Sequence, residues 1–157
     1  MTLHIGILLF PQNTQLDLTG PFELLHRLPD SAVHLVWKDT APVQAASGLR
    51  IVPTTTLSDC PPLDVLLVPG GIGTADLLTD APVLEWVAAQ GSRARYVTAV
   101  CTGSQAITAR ADALDPTPRS KGKSQVPRPP RTAKKSTPHV TAVAASEMRI
   151  IELTPPP

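Results

Sequence analysis

The chain has 157 residues, 42% of them hydrophobic, with a formal net charge of +1, enough apolar content for one domain with its own core if it is evenly spread. No apolar run reaches the ~18 residues of a membrane span and no basic N-terminal stretch precedes a long apolar one, so a cytoplasmic chain with no membrane partner is expected. Two distant cysteines, Cys60 and Cys101, and four scattered histidines indicate neither a disulfide framework nor a metal motif, and no cofactor is expected.

In chain order, residues 3–10 are apolar on both faces and close at Pro11, the pattern of a buried strand in a parallel sheet. A helix is expected next, with Thr19 as a cap, Pro21 near its first position and Leu24, Leu25 and Leu28 on its apolar face. Asp17, between Leu16 and Leu18 and just ahead of that helix, is a carboxylate in apolar surroundings at the end of a strand. Such a group can pass protons, and the position also suits a solvated loop aspartate or a helix cap.

Residues 33–38 read as a second strand, in which His34 has no chemical role, and 49–52 as a short extended piece after the turn residues Ser47 and Gly48. Residues 63–68 form another doubly apolar run, ending in Pro69-Gly70-Gly71. Glycines there let backbone NH groups approach a bound group, although Pro-Gly-Gly is also a common turn. Cys60, ahead of Pro61 and Pro62, reads as incidental. Helical spacing at 76–78 and 82–90, with Pro82 near a start and Gly91 past an end, leads to the β-branched run 96–100. That run delivers Cys101 to a tight turn with Thr102, Gly103 and Ser104.

If a helix starts at the turn, its unpaired NH groups and dipole favour a thiolate and can hold an anion. Cys101 is then either a nucleophile or a cysteine packed as a small hydrophobe. Strands alternating with helices imply an α/β fold, a parallel sheet covered on both faces, with a site at the carboxyl ends of its strands. Asp17, Gly70, Gly71 and Cys101 all fall at that edge.

The composition changes after Gln105. Up to it, five Lys or Arg stand against nine acids; beyond it, nine Lys or Arg stand against four acids, with half of the 18 prolines and no aromatic residue. Such a segment buries too little apolar surface to offset the entropy of ordering. The expected organisation is therefore a truncated α/β domain over 1–110 and a Pro-rich basic tail over 111–157, disordered or produced by a shifted reading frame. Residues 139–143 could still add an edge strand. The tail's Lys and Arg could meet phosphates, but no aromatics interleave for base stacking, so no nucleic-acid partner is expected.

Four motifs, Leu16-Asp17-Leu18-Thr19-Gly20-Pro21, Pro61-Pro62-Leu63-Asp64, Val68-Pro69-Gly70-Gly71 and Val100-Cys101-Thr102-Gly103-Ser104, together resemble the DJ-1/PfpI superfamily, over residues 1 to about 105. Within it they are most similar to the branch that hydrates isonitriles. The resemblance implies a flavodoxin-like sandwich, dimeric, with Cys101 as nucleophile on an elbow, Asp17 as the acid handling protons and Thr102 tied to activity. Backbone NH groups around Gly70, Gly71, Thr102 and Gly103 would bind the oxyanion or substrate. Thr102, where many relatives carry histidine, speaks for the hydratase-like branch over the protease-like one. The implied reaction is hydro-lyase chemistry on an isonitrile without a cofactor, weakened by truncation. Alternatives within the superfamily are a ligand-sensing domain of a transcriptional regulator and a redox or stress protein in which Cys101 is oxidised.

Overall fold

A computed structural model of the chain describes residues 2–114 and 148–151. In chain order its main elements are β1 (Leu3–Leu8), α1 (Gln15–Leu25), β2 (Ser31–Trp37), the hairpin strands β3 (Val43–Gln44) and β4 (Arg50–Ile51), and β5 (Thr55–Thr56). There follow β6 (Val65–Val68), α2 (Thr74–Leu77), α3 (Ala81–Gly91), β7 (Tyr96–Val100), α4 (Gly103–Leu114) and β8 (Met148–Ile151).

Six strands form one sheet in the order β5-β2-β1-β6-β7-β8. All neighbours are parallel except β8, which runs antiparallel to β7. The expected α/β architecture is present, and the doubly apolar runs are its central strands, with Ile5, Ile7, Leu8, Leu66 and Val68 fully buried. On one face Leu66, Val68, Val97 and Ala99 pack with Leu77, Val83, Val87, Ala106 and Ile107 from α2, α3 and α4. On the other, Ile7, Leu9, Leu35 and Leu67 pack with Leu18, Phe22 and Leu25 of α1.

Right-handed crossovers account for this division. The chain leaves β1 toward β2 on one side and later leaves β6 toward β7 on the other, so α1 and α3 lie on opposite faces. The loops after β1 and β6 meet at the carboxyl edge, where the Gly73 NH donates to the Gln12 carbonyl at 3.2 Å.

Three differences from the sequence reading matter. Helix α1 begins at Gln15, so Thr19 and Pro21 lie inside it and Asp17 occupies its first turn. The start is set by a tertiary contact: the NH of Thr14 donates to the carbonyl of Gly70 at 2.8 Å. Proline at position 21 then forfeits only its own bond back toward the Asp17 carbonyl. Helix α4 continues to Leu114, past the boundary expected at 110. An edge strand exists at Met148–Ile151, whereas the one expected at 139–143, like the tail reading for 115–147 and 152–157, lies outside the described residues.

Candidate active site

Cys101 follows the last residue of β7, and its backbone has φ of 53°. This left-handed conformation is uncommon for a side-chain-bearing residue and marks a sharp strand-to-helix elbow. The elbow is held by Ser104, whose NH and hydroxyl both donate to the Cys101 carbonyl, at 3.5 and 3.2 Å. The Cys101 side chain is half-buried. Gly103 opens α4 with its Cα against β6: a Cβ there would stand 2.2 Å from the Val68 carbonyl oxygen.

The β6–α2 loop packs directly on this elbow. A Cβ at Gly70 would lie 2.7 Å from Cys101 Cβ and 2.8 Å from the Thr102 nitrogen, so only glycine permits the approach. Gly71 has φ of 144°, and a Cβ there would fall 2.5 Å from the Gln12 carbonyl oxygen. A bridge between Asn13 and Gly71 ties this loop to the β1–α1 loop. The β3–β4 hairpin braces the latter in turn, the Gln12 NH donating to the Gln44 carbonyl and the Ala46 NH to the Asn13 carbonyl, at 2.9 and 3.0 Å.

Asp17, half-buried in the first turn of α1, accepts the Gly70 NH on Oδ2 at 3.3 Å. The Asp17 carboxylate and the Cβ of Cys101 thus approach one glycine from two different elements. Thr102 Oγ1 accepts the Gly71 NH at 3.0 Å, donates to the Gly71 carbonyl at 3.3 Å and meets Thr74 Oγ1 at 3.0 Å. The structure therefore gathers Asp17, Gly70, Gly71, Cys101, Thr102 and Gly103 at the carboxyl edge.

The NH groups of Gly70 and Gly71 already serve Asp17 and Thr102, whereas those of Thr102 and Gly103, at the start of α4, have no acceptor among the described residues. Sequence reasoning passed over Thr74 and Asn13. The one local signal was that Thr74 directly follows the glycine-rich run 70–73.

Cys60 lies elsewhere, beside the α3 core, and burial pushes its thiol up to about 11. Among the described residues no group of three or more His, Cys, Asp or Glu could hold a metal ion, and no helix is long and apolar enough to cross a membrane.

Alongside the elbow, a groove of about 620 Å³ runs between α1 and the sheet, lined by Leu16, Asp17 and Leu24 on one side and Val65, Tyr96 and Val100 on the other. Leu16 and Leu24 are 69% and 71% exposed, so α1 presents apolar surface on this side that no other described element covers.

Residues 4–117 match the DJ-1/PfpI family. The chain is 56% identical over 109 residues to an isonitrile hydratase from Pseudomonas putida, covering 69% of this chain and 48% of that one. It is 33% identical over 117 residues to the HTH-type transcriptional regulator GbdR from Pseudomonas aeruginosa, covering 71% of this chain and 31% of the regulator. A crystal structure of a ThiJ/PfpI family protein from Pseudomonas syringae superimposes with a TM-score of 0.68 at 39% identity, covering 70% of this chain and 46% of that one. The chain thus spans about half the length of the hydratase, and under a third of the regulator.

Proposed function

The chain belongs to the DJ-1/PfpI family, and on that premise we propose that it carries the nucleophile-bearing half of an isonitrile hydratase-type site. The observation that carries the reading is Gly70, which packs against the Cys101 elbow while its NH donates to Asp17. The likeness to the Pseudomonas putida isonitrile hydratase supports it.

In this mechanism the Cys101 thiolate adds to the terminal carbon of R–N≡C and forms the C–S bond. A proton from Asp17 reaches that carbon, giving a thioimidate, R–N=CH–S–Cys. Asp17, now a carboxylate, takes a proton from water as the hydroxyl adds to the same carbon and passes it to the nitrogen, giving R–NH–CH(OH)–S–Cys. The tetrahedral adduct collapses as its hydroxyl proton passes to Asp17, the C–S bond breaks to return the thiolate, R–NH–CHO leaves, and Asp17 is again protonated for the next cycle. One water is consumed and no oxidant or cofactor enters the balance. In this reading the amides of Thr102 and Gly103, which have no acceptor among the described residues, meet the transient negative charge. We take the protein to act on a small molecule in the cytoplasm, as a homodimer.

The test is formamide formation from an alkyl isonitrile, followed by NMR. We expect slow turnover by the chain itself and faster turnover when the second half of the Pseudomonas putida enzyme is joined after Ser104. Cys101→Ala should abolish turnover in both, and Asp17→Asn should slow it about 10²–10⁴-fold. A second reading, a ligand-sensing domain, is supported by the likeness to the regulator. Saturable binding of a small ligand with no turnover in either form would favour it, and turnover that survives Cys101→Ala would refute the hydratase mechanism.

A further inference from the structure

Thr74 takes no part in the chemistry proposed above, yet its hydroxyl lies 3.0 Å from that of Thr102. It opens the short helix α2, is 3% exposed, and its Oγ1 makes no other hydrogen bond among the described residues. A buried hydroxyl with a single partner is costly to keep unless that bond is made.

The direction of the bond follows from counting. A threonine hydroxyl has one proton and two lone pairs. Thr102 Oγ1 receives the Gly71 NH at 3.0 Å and gives its proton to the Gly71 carbonyl at 3.3 Å. One lone pair remains, and Thr74 fills it as donor. Gly71 is held at the same time by Thr74's backbone, whose NH donates to the Gly71 carbonyl at 3.1 Å. Every polar group of Gly71 is therefore tied to Thr74 or Thr102, at a residue whose φ of 144° would otherwise leave the loop free to turn.

We propose that Thr74 is a positioning residue: its hydroxyl locks Thr102 to Gly71, and so sets the Gly70–Gly71 loop against the Cys101 elbow. The inference rests on the reading of Cys101 as the reacting group, and its consequence is that the Cys101 side chain keeps one orientation relative to Gly70 and Asp17. With the hydroxyl gone, Thr102 keeps only its bonds to Gly71 and loses its anchor to α2, so the Thr102–Gly71 pair is held less firmly and the wall beside the thiol loosens.

The experiment uses the full chain with Thr74→Val, which keeps the shape and removes the hydroxyl, and Thr74→Ser, which keeps the hydroxyl. Two readouts do not require turnover: hydrogen exchange at the Gly71 amide and the rate of alkylation of Cys101 by iodoacetamide. Cys60 contributes little to the second at neutral pH, because its thiol is pushed up to about 11.

Thr74→Val should speed Gly71 exchange about five- to tenfold, the scale of one lost neutral hydrogen bond, and change the Cys101 rate by about threefold or more on the same basis. Thr74→Ser should restore both to within about twofold. If Thr74→Val does not fold, Thr74→Ala takes its place in the comparison. Unchanged exchange and alkylation in the variant without a hydroxyl would overturn the proposal, as would equal losses in the serine variant, which would mark a packing role. A chain that shows the Thr74 effects on the thiol but turns over no isonitrile would refute the hydratase reading and leave the positioning role standing.

Discussion

The two faces of the sheet are built from the same strands but are finished differently. Leu66 and Leu67 are adjacent in β6 and are 0% and 1% exposed, yet Leu66 points into a core shared by α2, α3 and α4, while Leu67 borders the groove beside α1. One face is sealed by three helices; the other is covered by one, with Leu16 and Leu24 facing out of it. The difference teaches where the elbow draws its rigidity. Gly103 opens α4 on the sealed face, directly after the Cys101 elbow, whereas Asp17 meets the Gly70 NH from α1 on the less covered side.

The sharpest test of this contrast has the largest expected effect. Leu66→Ala should lower unfolding free energy by about 2–5 kcal/mol, because it leaves a cavity that surrounding helices cannot fill. Leu67→Ala should cost distinctly less, since its neighbours already border an open groove. Urea titration of both variants decides it, and equal losses would mean that the two faces are packed alike.

A smaller effect is expected from the paired histidines on the sealed side. His4 Nδ1 lies 3.1 Å from His34 Nε2, with the rings stacked at 5.4 Å. Burial, and next the charge of His4, lowers the His34 pKa from its ordinary 6.5. The unfolded chain therefore takes up this proton at a higher pH than the folded one does. The contribution to stability is complete above 6.5 and is lost as pH falls through the lower folded value. Thermal unfolding from pH 7.5 to 5 should show a declining midpoint, and His34→Gln should flatten the decline; a parallel decline in the variant would remove His34 from the account.

The smallest stability change belongs to the open side. Leu24→Lys, at a position 71% exposed, should shift unfolding free energy by no more than about 0.5 kcal/mol. It should nevertheless reduce binding of an apolar dye and self-association measured by light scattering, because it places a charge on the rim of the groove. Unaltered dye binding would show that the groove is not the apolar surface that matters.

Much of this was legible in the residues. The strands of the sheet centre announced themselves as apolar runs without alternation, because a parallel strand is buried on both faces. The turn after Val100 and the paired glycines after Pro69 located the site edge, because abrupt changes from β-branched to small residues leave few backbone alternatives. The start of α1 was misread: Thr19 and Pro21 carry the local signals of a helix beginning, but the Gly70 carbonyl captures the Thr14 NH and starts it earlier. Thr74 carried no signal of its own, since a threonine after a glycine is unremarkable until its partner is known.

What the sequence by itself determined is the alternation of strand and helix and the placement of Gly70, Gly71 and Cys101 directly after strands, because periodicity and backbone sterics act over a few neighbouring residues. What only the tertiary structure decided is which of these groups bond to one another. The Thr74–Thr102, Gly71–Thr102 and Gly70–Asp17 contacts join residues 28, 31 and 53 positions apart. Such bonds depend on strand order and crossover side, which bring the loops after β1, β6 and β7 to one edge, and no local pattern encodes the distance between them.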